Sequence, residues 1–147
     1  MTAEAIIRHV QQCLRLGREC EWVELKENNA DPEMIGQRLA GLANSAALSG
    51  QSHGLLVWGI EDDSLRMVGT SFDPHSAKGA GNQGLELWLH NLLAPAVGIT
   101  VLTGTFENKP VVIMRIEAAR HQPVAWKGTR YIRVGQHTTK LSEHPAK

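Results

Sequence analysis

Glu19-Cys20-Glu21-Trp22-Val23-Glu24-Leu25-Lys26 sets carboxylates and a lysine among residues that otherwise read as the opening strand of a domain. Strand interiors exclude Glu and Lys as a rule, so the surrounding fold has to make this charge tolerable. Side chains alternate along a strand, which puts Trp22, Glu24 and Lys26 on one side and Val23 and Leu25 on the other. With Val23 and Leu25 turned to the core, Glu24 and Lys26 are presented together from a rigid backbone. The plainer alternative is an exposed strand face whose Glu/Lys pair stabilises little. A second acidic group, Glu61-Asp62-Asp63, follows Leu55-Leu56-Val57-Trp58-Gly59-Ile60, a continuously apolar run that reads as a central strand covered on both faces.

The rest of the chain supplies partners for these strands. Ile6, Ile7, Val10, Cys13 and Leu14 recur at helical spacing, with Thr2 able to cap the helix and Gly17 suited to its end. Asp31-Pro32-Glu33 starts a second helix: a capping Asp, a proline where a missing N–H costs nothing, and an acid for the dipole. That helix runs to about Leu48 with Ile35, Leu39, Leu42, Ala43 and Ala46 on one face, and its many small residues let something approach closely, most simply the sheet beneath. Arg66 to Thr70 reads as a strand returning from the apolar run. Residues 71–84, with Pro74 and several glycines, read as a mobile loop. Leu85, Trp88, Leu89, Leu92 and Leu93 form an amphipathic helix stopped by Pro95. Ile99 to Phe106 and Val111 to Ile116 are strands around a turn at residues 107–110, and a last hairpin runs from Val124 to Val134, turning near Lys127-Gly128. The order predicts an α+β fold: a single domain with a mixed, mostly antiparallel sheet, two main helices and an N-terminal helix.

A chain of 147 residues makes about one domain. No apolar run approaches the ~20 residues that span a bilayer, so no membrane partner is expected. The first residues lack the basic start and apolar stretch of a signal peptide, which places the chain in the cytoplasm. Cys13 and Cys20, seven apart, match no zinc or thioredoxin spacing and are expected to be reduced and partly buried. Net charge is zero, yet residues 1–108 carry 7 Lys/Arg against 13 Asp/Glu and residues 109–147 carry 8 against 2. A basic C-terminal segment points to an anionic partner such as nucleic acid, unless the two halves pair across one fold.

Several motifs in fixed order resemble the Schlafen AlbA-like domain: Glu19, Glu24 and Lys26; Leu42-Ala43-Asn44-Ser45; Gly54 through Trp58-Gly59-Ile60-Glu61-Asp62 with Val68-Gly69-Thr70; and Tyr131-Ile132-Arg133-Val134-Gly135. The resemblance divides the chain into an N-terminal helix at 1–16, the domain at 17–141 and a tail at 142–147, where a domain excised from a longer protein is expected to end. In bacteria such domains open proteins described as transcriptional regulators or divergent ATP-binding proteins. The implied function is a DNA- or RNA-binding module.

The resemblance also implies an alternative, a metal-dependent endoribonuclease. Its carboxylates would be Glu19, Glu24 and Asp62, holding Mg²⁺ or Mn²⁺ through hard oxygen ligands, the metal lowering the pKa of a bound water. Lys26 would then stabilise charge on the phosphorane. Vertebrate members pair two such domains and carry a zinc site, which two cysteines cannot rebuild; a homodimer could mimic the pairing. A third reading is a domain that only dimerises a larger regulator. For nucleic acid the candidate contacts are Lys127, Arg130, Tyr131, Arg133, His137 and Lys140, which interleave charge with an aromatic. The plainer alternative is a solvated hairpin whose arginines pair with Glu19, Glu21 or Glu61. Trp58 and Trp126 read as core. Gly79 to Gly84 lacks the Lys-Ser/Thr of a phosphate loop, and His53 is the histidine to watch.

Overall fold

The computed structural model describes residues 2–16, 20–61, 64–134 and 137–143. Helix α1 spans Thr2–Leu16 and strand β1 Val23–Lys26, followed by α2 Pro32–Leu48 and β2 His53–Trp58. Then come α3 Leu85–Leu92, β3 Leu93–Ala94, β4 Ile99–Phe106, β5 Lys109–Glu117, β6 Ala125–Trp126, β7 Thr129–Val134 and β8 His137–Lys140, with a 3-10 turn at Leu141–Glu143. The Thr2 side chain and Gly17, the expected ends of α1, lie outside the described residues.

Local chemistry sets these elements as the sequence predicts in most places. The Asp31 carboxylate accepts from the Met34 N–H at 3.0 Å and Pro32 opens α2. The turn between β4 and β5 has Glu107 and Asn108 at φ 51° and 64°, and the turn between β6 and β7 has Lys127 and Gly128 at 49° and 81°. Such left-handed pairs match the twist of the flanking strands. Gly59 ends β2 at φ 115°, where a Cβ would stand 2.8 Å from the Pro110 carbonyl oxygen.

The strands form two sheets rather than one. In the first, ordered β1-β2-β5-β4, β1 runs parallel to β2 while β2 and β4 run antiparallel to β5. The second is ordered β3-β6-β7-β8, all antiparallel. Strand β8 was not foreseen from the sequence, and the expected strand at 66–70 reduces to a single bridge, Ile60 to Met67. The 71–84 loop is tied down by Phe72 on Trp58 at 4.6 Å between rings.

Both faces of β2 are buried, which is why its sequence is apolar throughout. Leu56 and Trp58 join Leu39, Leu42, Trp88 and Trp126 between the sheets, and Leu55 and Val57 join Ile6, Val10 and Cys13 under α1. Helix α2 is therefore covered on two sides. A Cβ at Gly36 would lie 2.3 Å from the Trp126 ring, so the small residues of α2 admit the second sheet as well as the first. Trp22, expected beside Glu24, lies in a turn before β1 and packs on the α1 side.

The two cysteines are unpaired, Cys13 buried and Cys20 half-buried. Burial, with a smaller contribution from Cys20, pushes the Cys13 thiol up to about 12. Since the thiolate is the nucleophile, iodoacetamide should label Cys20 in the folded chain and reach Cys13 only on unfolding, read by peptide mass spectrometry. Equal labelling rates would mean that α1 does not stay on the sheet.

Candidate functional site

Glu24 is the buried centre of the charged stretch, 3% exposed although it lies on a strand at the sheet edge. Its neighbours Val23 and Leu25 fill the cluster under α1, which turns Glu24 toward α2 and β7. There its Oε1 accepts from Arg133 Nη1, while Oε2 faces Lys26 Nζ at 3.0 Å and accepts from Arg38 Nε at 3.1 Å. The expectation that Glu24 is displayed with Lys26 is thus corrected for Glu24, as is the alternative of an exposed strand face. A carboxylate cannot be buried without partners, and basic side chains from β1, α2 and β7 supply them.

Arg133 is 0% exposed. Beyond Glu24 it donates to the Cys20 carbonyl from Nε at 3.3 Å and from Nη2 at 3.1 Å, and from Nη2 to the Val23 carbonyl at 3.4 Å. The planar fork of the guanidinium suits this shared recognition. Its own backbone is held by Ser45: the Arg133 N–H donates to Ser45 Oγ at 2.9 Å, and that hydroxyl donates to the Arg133 carbonyl at 3.3 Å. One residue earlier on α2, Asn44 Nδ2 donates to the carbonyls of Val124 at 2.9 Å and Tyr131 at 2.7 Å, and its Oδ1 accepts from the Val124 N–H at 2.7 Å. The Leu42-Ala43-Asn44-Ser45 motif therefore fastens the second sheet to α2.

Arg38, Asn44 and Ser45 are the working residues that the sequence reading left without a role. Arg38 could have been found, because it falls three residues after Ile35 on the apolar stripe of α2, where a cation is out of place unless an acid waits opposite. Nothing local marks Glu24 as that acid.

Arg133 as a nucleic-acid contact is corrected, since a fully buried guanidinium cannot reach a phosphate. Lys127 is exposed but bonded to Glu33 Oε2 at 2.8 Å, with its ammonium 5.3 Å from the Trp88 ring centroid. Glu33 is held below the usual carboxylate range by hydrogen bonds from Lys127 and Trp126. Tyr131 is half-buried and packs on the core, so it is not an open stacking platform. Arg130 and Lys140 are exposed and line a groove of about 570 Å³ with Ala125, Gly128, Thr129, Leu141 and Ser142. His137 is exposed on β8. Glu61 accepts from Ser64 at 2.5 Å and from Arg66 at 3.1 Å, which lowers its pKa, the Ser64 bond first.

Glu19 and Asp62, the other expected metal ligands, and Gly135 lie outside the described residues. Glu24 as placed does not fit Mg²⁺ or Mn²⁺: both of its oxygens face cationic side chains, and a divalent ion would have to displace them against like charge. Among the described residues, no group of His, Cys, Asp and Glu converges to hold a metal, and no helix is long and apolar enough to cross a membrane.

A family model described as Schlafen, AlbA_2 matches residues 19–142. Among the solved structures that resemble the chain are two with a TM-score of 0.54. One is the DIP2311 protein of Corynebacterium diphtheriae, 17% identical, with 82% of this chain and 25% of that one covered, so the chain spans about a quarter of it. The other is the N-terminal domain of a Nitrosomonas europaea protein described as related to the ATP-dependent DNA helicase RecG, 20% identical, with 88% of each chain covered. No curated protein matches. At these identities the likeness speaks for the fold.

Proposed function

The chain belongs to the Schlafen AlbA_2 family, and from that premise we propose that it is a nucleic-acid-binding domain that grips the phosphate backbone through Arg130 and Lys140 and does not cut it at Glu24. The observation that carries this reading is the closure of Glu24. A carboxylate whose two oxygens face Lys26, Arg38 and Arg133 serves as their counter-ion, and a catalytic metal would have to approach it against three like charges. Arg130 and Lys140, in contrast, stand exposed at an open groove with the Thr129 and Ser142 side chains beside them, a set of donors suited to phosphate oxygens. The fold neighbour described as helicase-related is compatible with such a partner.

Binding of a fluorescent DNA duplex and an RNA hairpin, followed by anisotropy across a salt series, tests this. Each phosphate contact contributes about 0.9 to the slope of log K against log salt, so Arg130→Ala with Lys140→Ala should flatten the slope by about 2 on duplex DNA and weaken binding at low salt. An unchanged slope and affinity in the double variant would remove these two residues from the interface. Cleavage of the RNA by the wild-type chain in manganese would overturn the non-catalytic part of the reading.

A further inference from the structure

His9 on α1 is 5% exposed, yet neither of its ring nitrogens has a hydrogen-bond partner. Its ring meets that of His53, at the start of β2, edge-on with 5.6 Å between centroids and 70° between planes. His53 Nδ1 pairs with the Ser52 hydroxyl at 2.9 Å, while its Nε2 is buried without a partner. A buried polar atom left unsatisfied in a native fold calls for an explanation. Packing alone does not provide one, because an apolar side chain would serve the same cluster without that cost.

Among the described residues, no matching anion is set against the two rings. From α1 itself come Arg8 and Gln12, and β5 contributes Arg115. The register partner of His53 is Glu117, but its carboxylate accepts from the Gly98 N–H at 3.1 Å and lies 3.8 Å from Arg120. Strand β4 carries no charged or titratable side chain. Cys13, one turn along α1, is protonated and neutral. A positive charge on His9 would stand against the neighbouring ring and two arginines, and one on His53 against Arg115, with the His9 nitrogens and His53 Nε2 buried.

We propose that the His9–His53 pair is a proton-operated catch, holding α1 on the first sheet while both rings are neutral and releasing the helix when either takes up a proton. Both pKa values are lowered from 6.5, by burial first, then for His9 by His53, Arg115 and Arg8, and for His53 by Arg115. Gln12, the smallest influence on His9, favours the charged ring but does not reach hydrogen-bond geometry. The sign follows from linkage. A ring that is harder to protonate when docked leaves docking at full strength above its free value of 6.5 and weakens it as the pH falls below that. Helix α1 precedes the family segment at 19–142, so its release leaves that segment whole while uncovering the side chains under it, Leu55, Val57, Leu102 and Ile113.

Hydrogen exchange of the intact chain at about pH 7.5 and about pH 5.5, corrected for the intrinsic pH dependence of exchange, reads the catch directly. Protection of α1 should fall by up to about tenfold for each ring over the first pH unit below 6.5, while β5 amides keep theirs. In a His9→Gln, His53→Gln double variant that pH dependence should flatten. The proposal is overturned if wild-type α1 protection does not change, if α1 and β5 lose protection together, or if the dependence persists in the variant. Should the variant fail to dock α1 at all, NMR titration of the wild-type imidazole protons decides: both rings must titrate below 6.5, in step with the α1 amide shifts. Titration at or above that value overturns the catch.

Discussion

Glu24→Leu is expected to destabilise the fold by about 3–5 kcal/mol, the usual cost of breaking a buried ion pair by removing one partner. Arg133, 0% exposed, would lose its contact with the Glu24 carboxylate while its bonds to the carbonyls of Cys20 and Val23 remain. The reverse change is gentler. In Arg133→Leu, Glu24 keeps Lys26 and Arg38, whose side chains are 24% and 27% exposed and draw on solvent, so a cost of about 1–3 kcal/mol is expected. The double replacement should cost clearly less than the sum, since it removes both ends of the pair. Denaturant unfolding of the four proteins checks the cycle. A Glu24→Leu cost below about 1 kcal/mol, or strict additivity, would mean that the pair is not the structural tie described. The consequence reaches beyond stability: loss of any activity in a Glu24 variant reports on folding before it reports on catalysis, and has to be compared with a fold-sensitive signal from the same sample.

Much of this arrangement was legible in the sequence because it is local. The Asp31-Pro32 helix start, the unbroken apolar run of β2, the Lys127-Gly128 turn and the burial of Trp58 and Trp126 each follow from a short window of residues. What was not legible lies across the chain. Alternation says that Glu24 and Val23 face opposite ways; it cannot say that both faces are covered, because the cover for Glu24 comes from Arg133, 109 residues later. The same separation hid the second sheet. Gly36 and Asn44 look like tolerant helix positions until Trp126 and the 124–131 backbone are set against them. Arginine seldom lies buried, so Arg133 reads as a surface residue in the sequence, and that rule fails where a buried acid demands a partner.

Asn44→Ala should be nearly as costly as the loss of Glu24. The side chain is 5% exposed and satisfies the Val124 N–H and the Val124 and Tyr131 carbonyls at once. Removing it strands three backbone groups, of which relaxation and water entry can rescue some. At about 1–3 kcal/mol for each group left unpaired, a net loss on the order of 3–5 kcal/mol is expected in denaturant unfolding. Asn44→Asp separates chemistry from size. It keeps the oxygen that accepts from Val124 but puts a second acceptor where the amide donated, against two carbonyl oxygens, so it should be no better tolerated than alanine. Ser45→Ala, which loses one hydroxyl shared with the Arg133 backbone, should cost only about 1 kcal/mol. Because Arg130 and Lys140 ride on the sheet that Asn44 fastens, Asn44→Ala should also weaken the nucleic-acid binding proposed for them without touching a phosphate, and Trp126, lodged at Gly36, should shift its fluorescence toward that of a wetter indole. An Asn44→Asp protein as stable as wild type would show that the second sheet is held on by packing alone and that the Asn44 hydrogen bonds are incidental.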